Sequence, residues 1–162
     1  MKSTRTLIYY YSWSGKTKAA AQALGKLTGA ELRRIEEVAI RRGIFSFLTA
    51  LIQAIDGYIS ELRPYNPDMT GFDRIFIGTP VWSSGPPPAL RALLSEASFK
   101  RKKIVIFTTH MLSGAPAAAI KKIEDAVGKA GGEVLGSFSI RTTKKNMANP
   151  VEAVKLAAVK FL

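Results

Sequence analysis

The sequence predicts an α/β fold: a parallel sheet with helices on both faces. Three observations predict it. Short β-type runs alternate with helical patterns along the chain. The central runs, "DRIFIGT" (73–79) and "KKIVIFTT" (102–109), are short, apolar and β-branched, as strands buried on both faces read. The loops after these runs are rich in Gly, Ser, Thr and Pro, and each leads into a helix. Strands alternating with helices imply right-handed βαβ crossovers.

The elements follow in order. "TRTLIYYY" (4–11) is the first strand. "KTKAAAQALGKLTG" (16–29) is a helix that Gly29 stops. "AELRRIEE" (30–37) has sparse apolar positions and reads as an edge strand. In 43–62, Ile44, Leu48, Leu51, Ile55, Tyr58 and Leu62 form one helical stripe, widened by Phe45, Phe47, Ile52 and Ile59. Gln53 and Asp56 argue against a membrane span there. The expectation is a helix packed on the sheet, with an exposed edge for a dimer, a partner or a membrane surface as the alternative. A helix from about Pro87 to Ala97 carries Leu90, Leu93 and Leu94 on one face, and another starts near Pro116 with Ile120, Ile123 and Val127 at helical spacing. "EVLGSFSIRT" (133–142) alternates, as a half-exposed edge strand does. The last helix follows Asn149-Pro150, with Asn149 as cap, Pro150 in the first turn and Glu152 at the positive end.

A chain of 162 residues, 47% hydrophobic and 22% charged, fits one domain, 1–162. With no cysteine and a single histidine, His110, disulfides, thiolate metal sites and a cysteine nucleophile are excluded, and no metal is expected. The N-terminus does not read as a signal peptide, and no apolar run reaches the roughly 20 residues that span a bilayer. A cytoplasmic location is expected. The 24 Lys and Arg against 12 Asp and Glu, net +12, favour acidic partners without choosing among them.

In a parallel sheet, ligands bind beyond the carboxyl ends of the strands. Three loops lie there: "SWSGKT" (12–17), "PVWSSGPPP" (80–88) and "HMLSGAP" (110–116). In the first, a helix N-terminus near Lys16 offers backbone N–H groups and a positive dipole end. Ser12, Ser14 and Thr17 add hydroxyls, Gly15 permits close approach and Lys16 adds charge. This is a phosphate cradle, although Ser and Thr also cap helices. It is not a triphosphate loop. The first glycine of G-x-x-x-x-G-K-[ST] would fall on Tyr10, and the ends of the buried strands, Gly78-Thr79 and Thr108-Thr109, carry no carboxylate for Mg²⁺.

Together these loops resemble a known family. "YYSWSGKTKAAAQAL" resembles the phosphate loop of the flavodoxins. "IFIGTPVWSSGPPPALRALL" resembles their second flavin loop, and "VIFTTHMLSGAPAAAI" their third. The order and spacing match over nearly the whole chain, as in a short-chain member. The resemblance implies a flavodoxin-like, doubly wound, five-stranded parallel sheet in the order 2-1-3-4-5 and one non-covalently bound FMN. By that resemblance Ser12, Trp13, Ser14, Gly15, Lys16 and Thr17 hold the phosphate. The backbone of Thr79, Pro80 and Val81 lines the ribityl chain, Ser83 is a further cofactor-binding residue of that loop, and Trp82 stacks on the isoalloxazine, with a place in the core as the alternative. Thr108, Thr109, His110 and Gly114 border the ring's other side. His110 is either a donor at the flavin edge or a surface-loop histidine.

The chain departs from the family in charge. Flavodoxins are typically acidic around the flavin, whereas the loops 12–17, 79–88 and 108–116 contain no Asp or Glu. Lys16 lies in the first, and Arg141, Lys144 and Lys145 are expected on the same rim. By Coulomb's law a cationic surround favours the anionic reduced flavin and makes it a weaker reductant. The expected function is therefore an FMN-binding electron carrier that meets an acidic redox protein or an anionic small molecule, with no catalytic residue of its own. The alternative is an NAD(P)H- or quinone-linked FMN reductase on the same scaffold. A nucleic-acid-binding or regulatory module without flavin ranks below both, because the Lys and Arg are scattered.

Overall fold

The computed structural model of the chain describes residues 5–38, 52, 57–82, 85–111 and 116–162. Five strands, β1 (Thr6–Tyr11), β2 (Glu31–Ile35), β3 (Arg74–Pro80), β4 (Lys103–His110) and β5 (Glu133–Arg141), form one sheet. Every neighbouring pair is parallel, and the order is β2-β1-β3-β4-β5, as expected. The helices described in full are α1 (Lys16–Thr28), α2 (Pro88–Glu96), α3 (Pro116–Lys129), α4 (Lys144–Ala148) and α5 (Pro150–Ala157).

Strand alternation divides the core between two faces. Leu7, Tyr9, Ile75, Ile77, Ile104 and Ile106 pack with Leu90 and Leu93 of α2 and with Ile123 and Val127 of α3. Ile8, Tyr10, Phe76, Val105 and Phe107 pack with Ala20, Ala23 and Leu24 of α1 and Val154 of α5. On this second face Phe107 stacks on Phe138 at 5.6 Å, and Phe138 on Phe161 at 6.0 Å. The space for Phe107 comes from Gly78, where a Cβ would lie 2.1 Å from the Phe107 ring. A glycine at that point of a buried strand marks a close approach between neighbours.

The helix ends follow the local chemistry. Gly29 ends α1 in a left-handed conformation (φ 67°), its N–H bonded to the Gly25 carbonyl. Asn149 caps α5 by accepting the Glu152 N–H at 3.3 Å. β5 is an edge strand with a bulge: Ile104 pairs with Val134 but Val105 with Gly136. The short helix α4, capped by Thr143, was not foreseen, because it follows β5 with no apolar periodicity of its own.

The stretch 43–62 differs from the continuous helix expected there. Residues 57–62 are not helical. Gly57 takes φ 76°, in the left-handed region, and Leu62 forms an antiparallel bridge with Glu37. The Val38 N–H bonds the Glu61 carbonyl at 2.9 Å and the Arg63 N–H bonds the Glu36 carbonyl at 2.8 Å. The extended backbone thus pairs with the chain leaving β2, and Tyr58 and Ile59 stay about half exposed. Ile44, Phe45, Phe47, Leu48, Leu51 and Ile55 lie outside the described residues.

Replacing Gly78 with Ala should lower stability by about 2 kcal/mol through overpacking against Phe107. Combining it with Phe107→Leu should cost less than the sum of the two single changes. Urea denaturation of the three variants measures the coupling, and strict additivity would contradict it.

Candidate site at the carboxyl rim

The first loop leaves β1 at Tyr11 and enters α1 at Lys16. Gly15 makes the turn at φ 85°, and a Cβ built there meets no atom within 4 Å, so its outer side is open. Gly15 is the N-cap but supplies no side-chain cap. Buried Ser12 does that work from three residues earlier, its Oγ accepting the Lys18 N–H at 3.1 Å. The Ala19 N–H bonds the Gly15 carbonyl. The backbone N–H groups of Lys16 and Thr17 have no hydrogen-bond partner among the described residues. They are the unspent donors of a helix N-terminus, next to exposed Ser14 and half-buried Lys16. This donor set suits a compact oxyanion such as a phosphate monoester.

Thr17 differs from a simple surface donor. It is 1% exposed, and its Oγ1 lies 2.7 Å from Oγ1 of Thr109, itself 3% exposed, at the end of β4. The Thr109 carbonyl accepts the Val81 N–H at 3.0 Å. One residue therefore touches the phosphate loop through its side chain and the second loop through its backbone. Beside it, Thr108 is fully buried and its hydroxyl has no partner among the described residues. Fully buried Thr79 donates to the Pro80 carbonyl at 3.0 Å.

Trp82 does not offer the open stacking face expected of it. It is 5% exposed and forms a cluster with Tyr11 and Ala89. Its ring meets Tyr11 edge-to-face at 5.8 Å and Trp13 at 6.3 Å. Its backbone exchanges hydrogen bonds with Gly85, closing a tight turn. The indole is buried because protein aromatics already occupy it. Trp13, 39% exposed, is the aromatic that faces outward beside the cradle.

The charged surroundings include a residue that motif reading missed. Arg34 Nη2 donates to the Ser12 carbonyl at 3.4 Å, while its Nη1 pairs with Glu36 at 2.9 Å. The register that sets Tyr10 beside Arg34 brings it there, and pairing "YYY" with "RRI" as adjacent parallel strands would have found it. Burial pushes the Tyr10 hydroxyl above its usual pKa, with Arg34 opposing the shift. On the far side, half-buried His110 pairs in register with Arg141, whose Nε donates to the Met111 carbonyl at 3.4 Å. Lys144 and Lys145 begin α4, just past the end of β5. Ser83 and Gly114 lie outside the described residues.

No group of acidic, histidine or cysteine side chains suited to a metal occurs among the described residues, and none of their helices is long and apolar enough to cross a membrane. A cleft of about 530 Å³ between α2 and α3 lies away from this rim and shares only Pro86 with its loops.

No protein-family profile and no curated protein matches the chain. Solved structures do. A flavoprotein from Lactobacillus acidophilus NCFM, in complex with FMN, is 28% identical; the match covers 85% of this chain and 93% of that one, with a TM-score of 0.71. Oxidised flavodoxin 2 from Bacillus cereus is 17% identical over 98% of this chain and 100% of its own, with a TM-score of 0.57. A Fusobacterium nucleatum flavodoxin bound to flavin mononucleotide is 15% identical over 86% and 73%, with a TM-score of 0.52. At the last two identities the likeness is one of fold. Sheet order, loop placement and these neighbours agree: the chain has a flavodoxin-like fold.

Proposed function

We propose that the chain binds FMN at the carboxyl rim and carries electrons between redox partners. The observation that carries the reading is the open turn at Gly15, beside the Lys16 and Thr17 N–H groups that have no partner among the described residues, at the position where the loops of the 2-1-3-4-5 sheet converge. The donors there suit a terminal phosphate, and Lys16 adds charge. Trp13 supplies an aromatic surface next to the cradle, Trp82 supports it edge-on, and Tyr11 meets Trp82 edge-on in turn. The FMN-bound Lactobacillus acidophilus flavoprotein supports the choice of ligand.

Bound FMN supplies one- and two-electron transfer, and the chain supplies binding and electrostatics. The donors of α1 fix the phosphate end and thereby orient the ring. The first and third loops contain no carboxylate, and Lys16 stands in the cradle, whereas Arg34 beside it is paired with Glu36. This charge favours the reduced flavin's negative charge and an acidic redox protein as partner.

Titration of the purified apoprotein with FMN should quench tryptophan emission and saturate at one FMN per chain. Lys16→Asn should weaken FMN about fivefold, roughly 1 kcal/mol for one charged contact, and an unchanged affinity would leave binding to the backbone alone. Trp13→Ala should weaken FMN and riboflavin by the same factor, on the order of tenfold for a lost ring contact. Loss of FMN binding alone would move Trp13 to the phosphate end. Stopped-flow mixing of the FMN complex with NADH or NADPH should show no bleaching within seconds. Rapid bleaching would instead make the protein a nicotinamide-linked reductase.

A further inference from the structure

We propose that Thr109 is a positioning residue that couples the phosphate cradle to the ring loop, so that it sets how strongly the site prefers FMN over riboflavin. The inference rests on the FMN reading of the same rim.

The first turn of α1 has an unusual support. Its N-cap, Gly15, has no side chain to bond the turn, and Ser12 reaches only the Lys18 N–H. Thr17, the second residue of the helix, is held from below by the 2.7 Å bond to Thr109, 92 residues away and buried. A threonine hydroxyl has one proton and two acceptor sites, so this pair satisfies groups that burial would otherwise leave unpaired. The Thr109 carbonyl holds Val81, where the chain leaves β3 for the second loop. That loop has independent support: β3 and β4 remain in register through Thr79–Thr108 and Pro80–Thr109. Cutting the hydroxyl bond therefore frees the cradle from the ring loop while the ring loop keeps its place. Riboflavin, which lacks the phosphate, needs only the ring loop. FMN needs both at a fixed spacing, and a pre-set spacing is worth affinity.

The test is calorimetric binding of FMN and of riboflavin to the wild type and to Thr109→Val and Thr109→Ser. Thr109→Val should lower the FMN-to-riboflavin preference about tenfold, FMN losing more affinity than riboflavin, and Thr109→Ser should restore the preference. General destabilisation would weaken both flavins alike, so an equal loss overturns the proposal, as does an unchanged preference. If Thr109→Val does not fold, Thr17→Val cuts the same bond from the other side, and a wild-type preference in that variant overturns the proposal equally. A wild type that binds neither flavin would overturn the FMN reading and this inference together; a wild type that binds FMN while the variants behave normally would overturn only this one.

Discussion

A sheet whose neighbouring strands all run parallel cannot use hairpins, and that constraint governs the rest of the molecule. Each strand must be re-entered from its far end, so the chain crosses back over a face between strands. All five carboxyl ends then share one rim. α1, α2 and α3 each begin within a few residues of that rim, with their N-termini toward it. The site is therefore a by-product of topology before any side chain is chosen. What the sequence adds is a set of small residues at the rim: Gly15 to turn sharply, Gly78 to admit Phe107, and Ser12 and Thr17 to fit beneath the first turn.

The hydroxyl groups at this rim do two different jobs. Ser12, Thr17 and Thr109 are buried and bonded within the protein, so they shape the cradle. Ser14 is exposed and Lys16 half-buried, and together with the first-turn N–H groups that have no partner among the described residues they can meet a ligand. A motif of donors in sequence thus separates, on folding, into a framework and a receiving surface. The fully buried Thr108 hydroxyl, with no partner among the described residues, belongs to neither set.

Much of this was legible in the sequence because the signals were local. The β-branched runs gave β3 and β4, Gly29 gave the end of α1 and Asn149-Pro150 gave the start of α5. The order of the three loops placed the rim. The misreadings were all non-local. A helical stripe through Tyr58 and Leu62 could not reveal that Leu62 would pair with Glu37. The setting of Trp82 between proline and serines left open whether its ring meets a ligand or the core, and the edge-on contacts with Tyr11 and Trp13 come from another strand end. Arg34 reaches Ser12 only because β2 lies beside β1. Periodicity describes one segment at a time, and these contacts depend on which segments become neighbours.

The Trp13–Trp82 pair has a practical consequence. These are the chain's two tryptophans, and their rings lie 6.3 Å apart at one rim. Intrinsic emission therefore samples a single corner of the molecule and is nearly blind to the core around Phe76, Phe99 and Leu93 on the two sheet faces. Loops that receive ligands are drawn from the less stable part of a fold. An emission-monitored melt records the loosening of this corner, whereas far-ultraviolet circular dichroism records the loss of the helices. The gap between the two curves measures how far the rim moves independently of the sheet that carries it.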